Sequence, residues 1–375
     1  MTLQSPHPML ARKTAEERAR DDFLIDFKLY LTRELGSHLK TVYDARAERR
    51  FVERHKRAPE TRHEVGAVMG EEPLYQMWSA LGRIQQELYV DASASCVERQ
   101  LPQLIDTYRR YAKSPKYGTL KLDPTLEIPA YQSAADIHCV PGGYFEELAA
   151  DDVFAGARYD IGSFVFGRGK RGPLNDERGR SGVAFLAAKF PDLKPRRILD
   201  LGCGSGFNTP PYRDLYPQAE IHGIDLSASC LRYAHARSEA LEVPIHFSQQ
   251  NAERTSFADR SFDLIVSHIL FHETSRKAAA RIVAECHRLL APGGLMLHLD
   301  VPRHLTCKTP YDKFMADWDT MNNNEPFWGT LLFDIDMVEL AVKAGFAREG
   351  VHEELAAAAS QAGFAYWAYY AVKER

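Results

Sequence analysis

From Thr14 to Lys113 apolar residues return every three or four positions, the period of helices that bury one face. Leu24, Phe27, Leu31, Leu35, Leu39 and Val42 form a first stripe, and Leu74, Met77, Trp78, Leu81, Ile84 and Leu88 form a second. The second predicts a helix over residues 72–90, and a third is expected over 92–111, broken or kinked at Pro102. Between the first two, the polar run 57–70 reads as a loop. Residues 116–180 then lose any long period and are rich in Gly, Pro and aromatics. From Ser181 onward short apolar runs alternate with amphipathic stretches. Strands are expected at 198–201, 221–226, 245–249, 262–267 and 295–301. Helices are expected at 181–190, after Thr209, at 228–241, and from a Thr274 or Ser275 cap to Leu290. Such alternation predicts a parallel sheet covered by helices.

The end of the chain breaks the rhythm. Residues 301–330 are irregular, with Tyr311, Phe314, Trp318, Phe327 and Trp328 around Asp317, Asp319 and the run Asn322-Asn323-Asn324. Aromatics with a few polar groups suit either a small-molecule pocket or the packing of a lid. A helix over 334–345 and strands over 348–355 and 364–373 close the chain. The organisation expected is a helical part over 1–115, a connecting or cap segment over 116–180, and an α/β domain over 181–375 with a lid insertion around 302–330.

The most informative stretch is Arg197 to Thr209, where Gly202, Gly204 and Gly206 follow a buried strand and Thr209 is placed to cap a helix that accepts Pro210 and Pro211. Strand, glycine-rich turn and helix start form a nucleotide-binding unit whose glycines let the backbone approach a ligand. The spacing is not the G-x-G-x-x-G of dinucleotide folds. Asp200, just before the first glycine, suits a cation better than a pyrophosphate. The string Asp200-x-Gly202-x-Gly204-x-Gly206 resembles the first motif of class I S-adenosylmethionine-dependent methyltransferases. A helix ending in Leu290-Ala291-Pro292-Gly293-Gly294 before an apolar strand resembles another of that family's signatures. The resemblance spans residues 181–301 and implies a Rossmann-like seven-stranded sheet of order 3-2-1-4-5-7-6, the last strand antiparallel. It also implies S-adenosylmethionine as cofactor.

The resemblance assigns roles residue by residue. Asp200, Gly202, Cys203, Gly204, Gly206 and Asn208 would frame the turn, and Asp225 with Leu226 would hold the ribose. Asn251, Ala252 and Glu253 fall where relatives recognise adenine; Asn251 stands for the usual carboxylate, but its carbonyl can still accept from an amine. Ser267 and His268 leave the fourth strand beside the donor, and Tyr159 from the preceding segment would fold over it.

Methyl transfer needs positioning, plus a proton acceptor when the methylated atom must lose a proton. His272, His268 and Glu273 are the titratable groups beyond the fourth strand, with His138 in a loop dense in hydrogen-bonding groups; histidine titrates near neutral pH. Either histidine can equally be a wall or a structural residue. His268 and His272 stand four apart, yet nothing completes a metal set, so no metal is expected. Tyr144, Tyr311, Trp318 and Trp328 are the substrate-binding candidates.

Bulk properties narrow the partners. The 375 residues are 45% hydrophobic and 26% charged, with a formal net charge of −4. That balance fits a globular chain and argues against nucleic acid as the default partner. The basic cluster Arg46, Arg49, Arg50, Arg54, Lys56 and Arg57 is interleaved with Glu48 and Glu53, as on a solvated helical face with i,i+4 pairs. Six scattered cysteines without a C-x-x-C pair suit a reducing cytoplasm, and no apolar run is long enough for a membrane span. The expectation is a cytoplasmic enzyme methylating oxygen or carbon of a small organic molecule, in specialised metabolism, with no nucleic acid and no membrane as partner. The N-terminal helices would cover the acceptor pocket or form a homodimer contact. An RNA methyltransferase is the rival enzyme reading; the chain lacks an Asn/Asp-Pro-Pro-Tyr/Phe string after the fourth strand. A non-catalytic cofactor-binding module is the rival of another class.

Overall fold

The computed structural model describes residues 4–145 and 147–374. Eight strands make one sheet: β1 (Thr119–Lys121), β2 (Arg197–Leu201), β3 (Glu220–Asp225), β4 (His246–Gln249), β5 (Phe262–His268), β6 (Leu290–Asp300), β7 (Val351–Ala357) and β8 (Ala365–Val372). Their order is β1-β4-β3-β2-β5-β6-β8-β7. Every pairing is parallel except the two made by β8, which runs against both β6 and β7. Ile198, Leu199 and Leu201 of β2 and Leu264, Ile265 and Val266 of β5 are buried on both faces, as parallel strands under helices must be. From β2 onward the order is the 3-2-1-4-5-7-6 of the class I methyltransferase fold. The order reverses between β2 and β5, so the carboxyl ends of these two strands flank the crevice where open α/β sheets bind ligands.

β1 is an eighth strand added at the outer edge, with Thr119 paired to His246 and Lys121 to Ser248. It lies in the segment read as aperiodic, and three residues are too short to show alternation. Glu239 fixes its approach, accepting from the backbone amides of Lys116, Tyr117 and Gly118 at 2.7, 2.9 and 2.7 Å. The same segment contains a buried helix, Phe154–Phe166, and the helix before β2 is Glu177–Lys189, four residues earlier than its pattern suggested.

The first third is helical, with corrections. Residues 15–55 form one continuous helix containing two π-helical turns, Tyr30–Leu35 and Tyr43–Ala47. At the first, the Leu31 carbonyl accepts from the Gly36 amide and also from the Trp78 indole at 2.9 Å, so the wide turn is used to dock a second helix. The run read as a loop holds the helix Arg62–Met69, opened by a reciprocal Thr61–Glu64 capping box and burying Val65, Val68 and Met69. The helix Pro73–Glu98 continues unbroken past residue 90. Pro102 sits in the first turn of the next helix, Leu101–Lys113, where its missing N–H has no partner to lose. The basic cluster pairs across elements rather than along its own helix: Arg46 and Arg50 with Glu72 (3.0 and 2.6 Å), Arg54 with Glu71 (2.8 Å).

The lid consists of four short helices, Arg303–Thr306, Pro310–Ala316, Trp318–Asn322 and Trp328–Asp334. It is clamped to the N-terminal helices. Arg62 donates to Asp317 at 2.7 Å and to both oxygens of Asp334 at 2.7 and 2.6 Å. Charge-assisted, two-pronged pairs of this kind are the strong ones. Arg62→Ala is expected to cost about 1.5–3 kcal/mol. Denaturant unfolding would measure that loss, and hydrogen exchange should quicken selectively over residues 310–334.

The helical part shares a core with the α/β part, because Leu104, Ile105 and Tyr108 cluster with Ile161, Phe207 and Tyr233. All six cysteines are buried and unpaired. Among the described residues no helix is long and apolar enough to cross a membrane.

Candidate functional site

The turn after β2 is built from three left-handed glycines, with Gly202 at φ +64° and Gly204 at φ +52°. A Cβ on Gly202 would stand 2.7 Å from Leu270, whereas one on Gly204 would meet nothing within 4 Å. The turn is therefore closed behind and open in front. At the end of β3, Asp225 accepts from the Gly204 amide through one oxygen and from the Ser227 amide through the other, both at 2.8 Å. Burial pushes its carboxyl above the usual range while these amides hold it back. A carboxylate thus sits on the amide that a dinucleotide fold would offer to pyrophosphate, which disfavours a diphosphate and leaves an acceptor for sugar hydroxyls.

A cavity of about 500 Å³ opens in front of this turn. Gly202, Cys203, Gly204, Asn208, Asp225 and Leu226 line it, as do Asn251, Ala252, His268 and Tyr159. An open turn, a carboxylate poised for two hydroxyls and an amide side chain beyond are a donor set that fits an adenosyl group. Four expected cofactor residues lie elsewhere. Asp200 is beneath the turn, accepting from the Thr209 hydroxyl at 2.6 Å, with its other oxygen 3.6 Å from His268 Nδ1. Thr209 consequently makes no side-chain cap for the helix Pro210–Leu215. Gly206 packs inward, where a Cβ would stand 2.9 Å from Ala234. Glu253 turns away to the Tyr131 hydroxyl (3.2 Å) and Arg281 (3.0 Å). Ser267 is buried against His298 Nδ1 at 2.7 Å, an imidazole that burial pushes down to about 3 and keeps neutral.

Beside the turn, the chain leaving β5 forms a second constellation. Ile269 holds φ +57°, a left-handed conformation that costs a β-branched residue about 1–3 kcal/mol and is tolerated where a site over-determines it. The short turn Phe271–Glu273 follows. Asp300, at the end of β6, accepts from the Phe271 amide at 3.0 Å and lies 2.6 Å from His272 Nδ1. His272 Nε2 is 3.5 Å from Glu273. Burial alone would lower the His272 pKa, but Asp300 and Glu273 outweigh it and raise it to about 10. Both His272 nitrogens thus face carboxylates, an environment that favours the imidazolium at neutral pH over the neutral base its sequence position suggested.

His138 repeats the arrangement. Its Nε2 lies 2.9 Å from Glu273 and its Nδ1 2.8 Å from Glu325 of the lid. Burial opposes its charge, yet the two carboxylates raise its pKa well above the ordinary value. Glu273, despite burial, is held well below the usual carboxylate range by His138 and His272, and it also receives the Tyr144 hydroxyl at 3.3 Å. The Glu325 oxygen facing His138 also receives the Asn323 amide at 2.6 Å. Its second oxygen, Oε2, is buried without a hydrogen-bond partner, and the residue lines the cavity.

His268, His272, Glu273 and His138 all line this cavity, with Tyr144 and Trp328 beside them. His268 Nε2 is 2.9 Å from the Tyr212 hydroxyl, and its Nδ1 has no hydrogen-bond partner. Trp318 and Tyr311 are not in the cavity. The Trp318 indole donates to Ser79 at 2.9 Å and its ring lies so close over Gly82 that a Cβ there would come within 2.9 Å. Tyr311 packs on Tyr43 with ring centroids 4.8 Å apart. Both aromatics fasten the lid to the N-terminal helices. Sequence reasoning missed Asp300 and Glu325, and with them Arg158 and Arg178, which line the cavity together with Arg171 of the glycine-rich run 167–172. Among the described residues no three metal-ligating side chains cluster.

Residues 198–294, which hold the glycine turn, Asp225 and the β5 exit, match the family model of a methyltransferase domain. The chain carries a class I S-adenosylmethionine-dependent methyltransferase domain. The methyltransferase domain is similar to a demethylmenaquinone methyltransferase of Deinococcus radiodurans, 30% identical over 156 residues, which are 41% of this chain and 61% of that protein. It is also similar to a tRNA N(3)-methylcytidine methyltransferase of Drosophila melanogaster, 30% identical over 128 residues, 32% of this chain and 39% of that one. Among solved structures, a phosphoethanolamine N-methyltransferase 2 of Haemonchus contortus in complex with S-adenosyl-L-methionine overlaps 58% of this chain and 57% of its own, at 18% identity and a TM-score of 0.45. The chain spans less than two thirds of the length of the curated relatives it matches.

Proposed function

We propose that this protein transfers the methyl group of S-adenosylmethionine to oxygen or carbon of a small organic acceptor. The observation that carries the reading is one cavity lined by two unlike groups of residues: the open glycine turn with Asp225, and the carboxylate–histidine group around Glu273. The helix Pro73–Glu98 contributes Gln86 and Tyr89 and the lid contributes Glu325 and Trp328, so the acceptor's space is enclosed by side chains from separate elements. That suits a small molecule.

The bound donor would supply an activated methyl group on a sulfonium, and the chain's own residues have to orient, exclude water and receive a proton. Asp225 is placed for the ribose hydroxyls and Asn251 with Ala252 for the adenine edge. Proton acceptance falls to a carboxylate rather than an imidazole, because His138 and His272 are both held as cations. Glu325 is the residue for it: it lines the cavity, and its Oε2 is buried without a hydrogen-bond partner. His272 then acts as a positioning residue that fixes Glu273 and through it His138.

Calorimetry with S-adenosylhomocysteine tests the first half of this reading. Wild type is expected to bind it, and Asp225→Ala to bind about 100-fold more weakly, the value of losing charge-assisted hydrogen bonds to two hydroxyls. An unchanged affinity in the variant would remove Asp225 from the site. Binding without methyl transfer to any hydroxylated or enolic compound would leave a cofactor-binding module in place of an enzyme.

A further inference from the structure

Part of the cavity lining is strongly basic. Arg158, Arg171 and Arg178 all belong to it, and among the described residues none of the three has a carboxylate within ion-pair distance. Arg158 is only 5% exposed, and its Nε is buried without a hydrogen-bond partner. The Arg178 Nε is likewise buried and unpartnered. Arg171 donates to the Ser163 hydroxyl at 2.8 Å, a neutral group. Arg171 and Arg178 are partly exposed, but a buried guanidinium such as Arg158 is normally paired, because removing an unpaired charge from water is strongly unfavourable.

Two phenols mark how closely the cations gather. Tyr159 is pushed up by burial but pulled below its ordinary value by Arg178 and Arg171, and Tyr89 is raised by burial against the pull of Arg171 and Arg158. Arg171 is lowered to about 10 by burial and by Arg178. The nearby carboxylate, Glu177, accepts from the Ser181 and Tyr366 hydroxyls, makes no ion pair with the three arginines, and acts on Arg178 through its charge alone. Rigid forked donors among phenol hydroxyls form the chemistry that grips carboxylate or phosphate. Glu177, whose charge reaches Arg178, and the one carboxylate on the amino-acid end of the donor answer two of the three cations. The third is left for a second anion.

We infer that the acceptor is itself an anion, and that its carboxylate or phosphate docks on Arg158, Arg171 and Arg178 while the atom to be methylated points toward Glu273 and Glu325. The inference rests on the methyltransferase reading for the identity of the acceptor, but the anion site stands on its own residues.

The test uses the full chain saturated with S-adenosylhomocysteine and titrated calorimetrically with inorganic phosphate and with citrate, against chloride at equal ionic strength. Wild type is expected to bind at least one of the two anions well above the chloride control. Arg158→Gln and Arg171→Gln should each weaken that binding tenfold or more, with Arg171→Lys retaining most of it. Melting curves identify any variant that fails to fold, in which case Arg178→Gln takes its place. No binding by wild type, or equal binding by the variants, would overturn the site. Comparing S-adenosylhomocysteine with 5′-methylthioadenosine, which lacks the amino-acid carboxylate, separates the two sources of anion. If the variants lose affinity for the first alone and bind phosphate and citrate normally, the arginines serve the donor and the inference fails. If S-adenosylhomocysteine does not bind at all, the proposed function falls, and titration of the unliganded protein still decides the anion site.

Discussion

Asp300→Asn is expected to destabilise the protein by about 3–5 kcal/mol, the loss that follows when one partner of a buried ion pair is removed. Asparagine keeps an oxygen for the Phe271 amide that Asp300 holds at 3.0 Å, so the change falls chiefly on the His272 contact at 2.6 Å. The pH dependence separates this charge effect from a packing effect. The folded pKa of His272 is raised to about 10, above the roughly 6.5 of an unfolded histidine. Its stabilisation is therefore complete below the unfolded value and is lost as pH rises through the folded one. Denaturant unfolding at pH 6 and at pH 9.5 should show the gap between wild type and Asp300→Asn narrowing at the higher pH. A gap that stays constant would mean that His272 is not the buried cation the geometry describes.

The framework of the α/β part was legible because its determinants are local. Continuous apolar runs at β2 and β5, the spaced glycines, and Asp225 at the end of β3 are short-range patterns with few structural solutions. Ser227 and Ser275 cap the helices that follow, as their positions announce. The failures share a cause as well. The strand Thr119–Lys121 and the helix Arg62–Met69 are too short for periodicity and exist through tertiary contacts, with Glu239 holding one and the lid resting on the other. Thr209 occupies a capping position, but a buried Asp200 claims its hydroxyl.

The carboxylate–histidine group was only half legible. His272 and Glu273 follow β5 in sequence, where the fold points to a site. Asp300 ends the next strand, and its spacing from His272 carries no signal until β5 and β6 are side by side. Glu325 lies in an aperiodic lid and acquires meaning only from its 2.8 Å contact with His138, 187 residues away in the chain by their numbering. The roles of Trp318 and Tyr311 were misread for the complementary reason. An aromatic in a lid can face either the cavity or the helices outside it, and Ser79, Gly82 and Tyr43 decide for the outside.

Glu325→Gln is expected to lower kcat by about 10²–10⁴-fold, the range for removing a positioned proton acceptor, while S-adenosylhomocysteine affinity holds. The substitution is nearly isosteric, so the lid should stay closed; the Asn323 and His138 contacts at Oε1 can be met by the glutamine carbonyl. The amide cannot take a proton through the atom that replaces Oε2. Removing one of the two carboxylates that hold His138 as a cation also lowers that imidazole's pKa, so the variant's residual activity should gain an acid limb nearer neutrality as His138 becomes the fallback acceptor. Wild type, served by a carboxylate, should show no limb in the imidazole range, since His272 stays charged until about pH 10 and His138 is raised well above its ordinary value. A wild-type profile with a limb in the imidazole range would transfer the proton-accepting role to an imidazole, leaving His268, which also lines the cavity, as the residue to replace next.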